Sequence, residues 1–337
     1  ISMNRYSSGT EWYDAEQNRH SVYLSGETPV LDAVTLNYGV RYTWVDGENT
    51  TTGSNTTTTT MMMNGRPIPG GTEVLDSNSH TSASDGKAVF NFGAVWRPAD
   101  HLSLRATWAQ GYRFPLMQEM FIDSVMGGEY TYANPDLKPE TSDNFEVGAR
   151  WDGRWASVDA ALFYNKTDDY ITSVTIGEVN GVDASEMQNV SEATTFGLEM
   201  AVNMRPFECG LAPYTSFTVM RRKYEENGIG TYDSGTPDFT ARYGVKWNGS
   251  YNGLALRSDL FALTRTSTDE KSLDPSSPGT THLGGATNNL TAGVSFGPKK
   301  QYGLDVGLYN ITDKLYTKSG AIYEAGRFFT LKFNAKF

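Results

Sequence analysis

The sequence predicts an all-β fold, a transmembrane antiparallel β-barrel wall built from 13 strands. Three observations lead there. Apolar side chains recur at every second residue rather than at helical spacing. The alternating segments run to about eleven residues, whereas strands of soluble proteins average roughly five to six. The connections also alternate, one short and the next long, as in barrels with tight turns at one membrane face and large loops at the other.

The elements follow in order. The first strand is placed at about 19–27. In the next, Val34, Leu36, Tyr38, Val40, Tyr42 and Trp44 form one face, and Thr35, Asn37, Gly39, Arg41 and Thr43 form the other. The alternation puts the first set toward lipid and the second toward the lumen. It returns through Phe90, Phe92 and Trp96, then Leu102, Leu104 and Trp108, then Phe145, Val147 and Trp151. It continues through Val158, Leu162 and Tyr164, then Phe196, Leu198 and Met200, then Phe239, Tyr243, Val245 and Trp247. The last strand is placed at 322–337. Turns fall near 29–33, 98–101, 152–154, 206–210, 248–252 and 297–300. Long loops fall near 46–85, 114–139, 167–187, 222–235, 265–285 and 312–321. Tryptophans at strand ends suit interfacial girdles.

Composition narrows the function. The 337 residues carry 28 basic and 39 acidic side chains, a net charge of −11, which disfavours nucleic acid as a partner. Cys209 stands alone, so the chain has no internal disulfide and no thiolate zinc cluster. No run of 18 apolar residues marks a transmembrane helix, but a barrel needs none. No nucleophile elbow, phosphate loop or His-Glu-x-x-His is present, and an enzyme is not expected. A soluble sandwich, propeller or solenoid is the other all-β reading; strand length and the sorting of loops weigh against it. An odd strand count is foreign to bacterial single-chain barrels, and an open edge is costly in hydrocarbon. The expectation is therefore a C-terminal portion of a larger barrel, with residues 1–18 in an external loop and 19–337 in the wall.

Four motifs carry a family resemblance. Tyr112-Arg113-Phe114-Pro115 is followed by Asn134-Pro135-Asp136-Leu137-Lys138-Pro139-Glu140. Asn189-Val190-Ser191-Glu192-Ala193 leads to Gly197-Leu198-Glu199. Asn310-Ile311-Thr312-Asp313-Lys314-Leu315-Tyr316 precedes a last segment ending at Phe337. In this order they resemble the TonB-dependent outer-membrane receptors, with Tyr-Arg-Phe-Pro where that family usually has Phe-Arg-Ala-Pro. The resemblance implies a 22-strand barrel in the bacterial outer membrane, with strands 10–22 here. Nine strands, the plug domain and the segment that meets the TonB energy-coupling complex would lie elsewhere. It implies that Phe337 is read by the barrel-assembly machinery. It also implies active uptake, first of a ferric siderophore complex and then of haem, cobalamin or copper; a passive porin is the rival from another class.

Candidate ligand contacts are cationic or aromatic residues at the long-loop end, since ferric chelates of catecholates and carboxylates are anionic. They are Arg113, Tyr130, Tyr132, Arg222, Lys223 and Arg265. Loop packing is the other reading of the two tyrosines, and contact with lipid phosphates that of the basic residues. Met61, Met62, Met63 and His80 are weak metal candidates, because thioethers suit Cu(I); a low-complexity Thr-rich loop is the alternative. No resident cofactor is expected; the transported ligand would be an iron chelate or haem.

Overall fold

A computed structural model describes residues 2–7, 15–49, 54–63, 66–76, 81–126, 129–179, 182–226, 229–270, 280–319 and 322–336. Thirteen strands form one antiparallel meander in chain order. They are β1 (Ala15–Leu31), β2 (Val34–Asn49), β3 (Thr81–Ala99), β4 (Leu102–Arg113), β5 (Glu140–Asp152), β6 (Ala156–Val179) and β7 (Val182–Met204). Then come β8 (Leu211–Glu226), β9 (Phe239–Tyr251), β10 (Leu254–Arg265), β11 (Gly285–Phe296), β12 (Tyr302–Tyr309) and β13 (Phe328–Ala335).

Register keeps the apolar phase continuous. Tyr38, Phe92, Trp108, Phe145, Tyr164 and Phe196 lie in direct succession across β2 to β7, each opposite the next. Across the far strands, Val245, Leu260, Leu290, Leu308 and Phe329 do the same. Most of these side chains are exposed, Leu260 at 55% and Phe329 at 73%. On a soluble protein such a surface would be an aggregation liability. In a barrel it is the lipid face. Trp108 sits where apolar ring and polar tip both find partners, its Nε1 donating to Asp143 at 2.9 Å.

The strands reach further than their apolar stretches. β6 and β7 have 24 and 23 residues, so most of the predicted loop at 167–187 is a paired hairpin. Above Tyr164 and Phe196 the outward phase turns charged. Lys166 pairs with Asp168 at 3.1 Å and Glu192 at 3.2 Å, and Lys223 pairs with Glu225. The ladder continues while the greasy alternation stops, which marks the edge of hydrocarbon. The predicted loop at 46–85 likewise contains strands Ser54–Met63 and Arg66–Asp76, and Ser2–Ser7 pairs with the former. β1 begins at Ala15 rather than at 19, and β13 occupies Phe328–Ala335 rather than all of 322–337.

The inner face is held by charge. Arg105 on β4 donates from Nε to Glu146 at 2.7 Å on β5 and from Nη2 to Asp159 at 3.0 Å on β6. It crosses Gly148, where an added Cβ would come within 2.5 Å of Cζ. Arg257 on β10 repeats the device: it crosses Gly293 to pair with Asp305 on β12 and donates to Ser295 at 2.7 Å. Each guanidinium thus ties three neighbouring strands. Among the described residues β1 and β13 do not pair with each other, so both are sheet edges.

Candidate functional site: the external mouth and inner wall

The connection from β4 to β5 folds over the inner side of the mouth. It carries helix α1 (Met117–Phe121) and a strand, Glu129–Tyr132, which pairs in parallel with Ala184–Glu186 of β7. Phe114, Met120 and Leu137 pack with Val45 of β2 and Ile171 of β6 in a buried cluster. The motif residues close this arrangement. Arg113 grips Glu140 with Nε and Nη2, at 2.6 and 2.7 Å, and Glu119 with Nη1 at 2.8 Å. Glu140 also accepts from the backbone N–H of Ile171 at 2.8 Å, and Glu119 from that of Leu116 at 2.7 Å. Asn189 exchanges hydrogen bonds with the backbone of Lys138, at 2.8 and 2.9 Å. Three motifs far apart in sequence therefore meet as one lock on one loop.

The other candidates divide by face. Tyr130 is 2% exposed, stacked on Tyr132 with centroids 6.3 Å apart, inside the folded loop. Arg222 lies on the inner phase of β8. It donates to Thr195 at 3.2 Å and sits over the rings of Tyr170 and Tyr224, at 5.9 and 5.8 Å. Burial pushes the Tyr224 phenol up to about 12, so it stays neutral beside the guanidinium. Lys223, one residue on, has the outward phase and pairs with Glu225. Arg265 lies on the inner phase at the top of β10, 5.8 Å over the Tyr316 ring. Both line a cavity of about 560 Å³. Met61, Met62 and Met63 end the strand Ser54–Met63, but their side chains, like all of His80 and Phe337, lie outside the described residues.

Residues outside the candidate ligand contacts complete the inner wall. Tyr170 and Tyr316 reach it from stretches read as loops. Lower down, Arg242 lies 4.0 Å over Phe261 and pairs with Asp259 at 3.2 Å, while Tyr214 donates to Asp259 at 2.9 Å. Lys246 is 4.7 Å from the Tyr214 ring. Inward-phase residues are visible in the sequence; of the aromatic partners, Tyr170 depends on the unpredicted extension of β6 and Tyr316 on a loop path.

A thirteen-strand antiparallel wall with an apolar outer face, a charged inner face and an infolded loop defines the wall of a membrane β-barrel. The family profile described as "TonB dependent receptor-like, beta-barrel" matches residues 2–311, and the chain belongs to that family. This is a family of receptors and transporters rather than of enzymes, and its strands cross the outer membrane. Over 212 residues the chain is 24% identical to the Heme/hemopexin utilization protein C of Haemophilus influenzae (strain 86-028NP), covering 56% of this chain and 26% of that protein. Over 127 residues it is 31% identical to the Iron-regulated outer membrane virulence protein of Vibrio cholerae (El Tor Inaba N16961), covering 34% and 19%. Among solved structures, the Copper transporter OprC superposes with a TM-score of 0.75 at 16% identity, over 96% of this chain and 48% of that one. The ferric yersiniabactin uptake receptor FyuA from Yersinia pestis does so with 0.60 at 18%, over 97% and 45%. The chain thus spans about half the length of the solved structures and about a quarter or less of these curated relatives.

Proposed function

We propose that this chain forms wall and mouth of a TonB-coupled importer whose cargo is a ferric siderophore complex. The carrying observation is the pair of guanidinium–tyrosine sites on the inner side of the mouth. Arg222 with Tyr170 and Tyr224, and Arg265 with Tyr316, present positive charge beside flat rings. An anionic aromatic chelate meets both preferences at once. In this reading Arg222 and Arg265 touch the ligand, Arg113, Tyr130 and Tyr132 shape the loop above it, and Lys223 faces outward. The two open sheet edges support completion of the barrel by strands from outside this sequence, and family membership leads us to put these at nine, with a plug inside. The TonB complex would act on that plug, and Phe337 would serve barrel assembly.

The test is made in the full-length receptor with an iron-55 tricatecholate complex. Arg222→Ala and Arg265→Ala should each weaken surface binding about tenfold, roughly 1.4 kcal/mol. TonB-dependent growth on haem, with no ferric tricatecholate binding, would replace this reading with haem uptake.

A further inference from the structure

The inner wall is electrically lopsided. On β8 to β12 the inward phase carries Arg222, Arg242, Lys246, Arg257 and Arg265 against Asp259 and Asp305. On β4 to β7 the balance reverses. Glu140, Glu146, Asp152, Asp159 and Glu199 there outnumber Arg105, Arg113 and Arg150.

The cations are also arranged in depth. Arg265 stands opposite Thr240 at the external end of β9, Arg242 opposite Leu263, Lys246 opposite Asp259, and Arg257 opposite Asn248. From Thr240 to Asn248 is about 26 Å of strand, enough for a tilted strand to cover most of an apolar band about 25 Å tall. Two hollows accompany the series. The larger, about 560 Å³, is lined by Arg265 and Arg242 on one side and by Arg105, Asp159 and Glu199 on the other; the smaller, about 160 Å³, by Lys246 and Arg257 with Asp259 and Asp305. Lys246 forms no ion pair among the described residues and keeps its charge available beside the Tyr214 ring.

We infer that the inner wall of β8 to β12 is a track along which the anionic ligand descends from the mouth, with Lys246 as the step between the two hollows. This rests on the uptake reading above and adds the side of the barrel on which passage opens. Cations spaced in depth, with Arg242 and Arg257 partly offset by Asp259 and Asp305 and Lys246 unpaired among the described residues, attract an anion at each stage without trapping it at one. The net-acidic inner face of β4 to β7 borders the track on one side, β7 pairing directly with β8, and confines the anion to the cationic strands. The rival use of these cations is to dock an acidic surface of the plug.

The experiment uses the full-length receptor, an iron-55 tricatecholate probe, and separate measurements of surface affinity and uptake rate. Lys246→Glu should leave the affinity within twofold and lower uptake at least tenfold. Lys246→Gln should lower it about threefold, and Lys246→Arg should restore it. Arg41→Glu, on the inward phase of distant β2, should leave uptake within twofold. Normal binding with normal uptake in Lys246→Glu overturns the track alone. Equal losses in Lys246→Gln and Lys246→Glu, with new leakage of large antibiotics, also overturn it and favour plug docking. Absence of probe binding by the wild type overturns the uptake reading, and the track with it.

Discussion

Arg113 shows how one residue can be read two ways. Its place at the loop end, its charge and its motif all fit a ligand contact. Its geometry is that of a clamp, with the guanidinium divided between Glu119 and Glu140. A planar fork can satisfy two carboxylates at once, and an ammonium cannot. Arg113→Ala leaves those carboxylates facing each other, with 15% and 11% side-chain exposure. The expected cost is about 2 kcal/mol of local loop stability, reduced from buried-pair values because the Arg113 side chain keeps 36% exposure. Limited proteolysis of the full receptor should then cut within 116–133 at least tenfold faster, with Arg113→Lys giving little rescue. Unchanged cleavage would return Arg113 to the ligand. Gly148 offers a second residue-scale test. A side chain there meets the Arg105 guanidinium, so Gly148→Val should displace it from Glu146 and Asp159 and lower the temperature at which the barrel loses heat-modifiable migration. An unchanged temperature would mean that the clamp contributes nothing.

At the scale of elements, the prediction concerns faces and sides. Leu36→Arg places a charge on the lipid phase, at a cost of about 2–4 kcal/mol near the midplane and less toward the interface. Thr35→Arg places it on the inner phase and should insert normally. Equal folding yields for the two would reverse the faces. Orientation has its own test in Cys209, which is exposed in the short turn between β7 and β8. In a full receptor whose sole cysteine is Cys209, an impermeant maleimide should label only after the outer membrane is permeabilised. Labelling on intact cells would invert the barrel. These elements were legible because hydrocarbon on one side forces period-two apolarity, which the membrane-spanning strands such as β2, β5 and β9 carry plainly. The strand extensions were not legible. Beyond Tyr164 and Phe196 the outward residues are Lys166, Asp168 and Glu192, so the pattern vanishes although hydrogen bonding continues. The site was legible by halves for a similar reason. Parity alone sets Arg222 and Arg265 on the inner side, whereas Tyr170 comes from a strand extension in which the apolar alternation has already ended and Tyr316 from a loop that no periodicity records.

At the scale of the whole molecule, the sheet's two edges decide what can exist alone. β1 offers 17 residues on one side and β13 offers eight on the other, each with a row of unpaired N–H and C=O groups. Water can satisfy such an edge, and lipid cannot. Each unsatisfied group in hydrocarbon costs several kcal/mol, so even a few on each edge exceed the ~5–15 kcal/mol by which a folded domain is usually stable. Closing thirteen strands on themselves would satisfy the edges, but it would also bring β1 against β13 and narrow the lumen that the infolded loop and inner charges line. The expected outcome is that this chain, refolded by itself into detergent, shows no heat-modifiable band and stays protease-sensitive. Co-refolding with the segment that supplies the remaining strands should restore both properties. A cysteine pair joining β13 to that segment should cross-link, and one joining β13 to β1 should not. A heat-modifiable barrel from this chain alone, with the β1–β13 cross-link formed, would refute the larger barrel and with it the place of the plug.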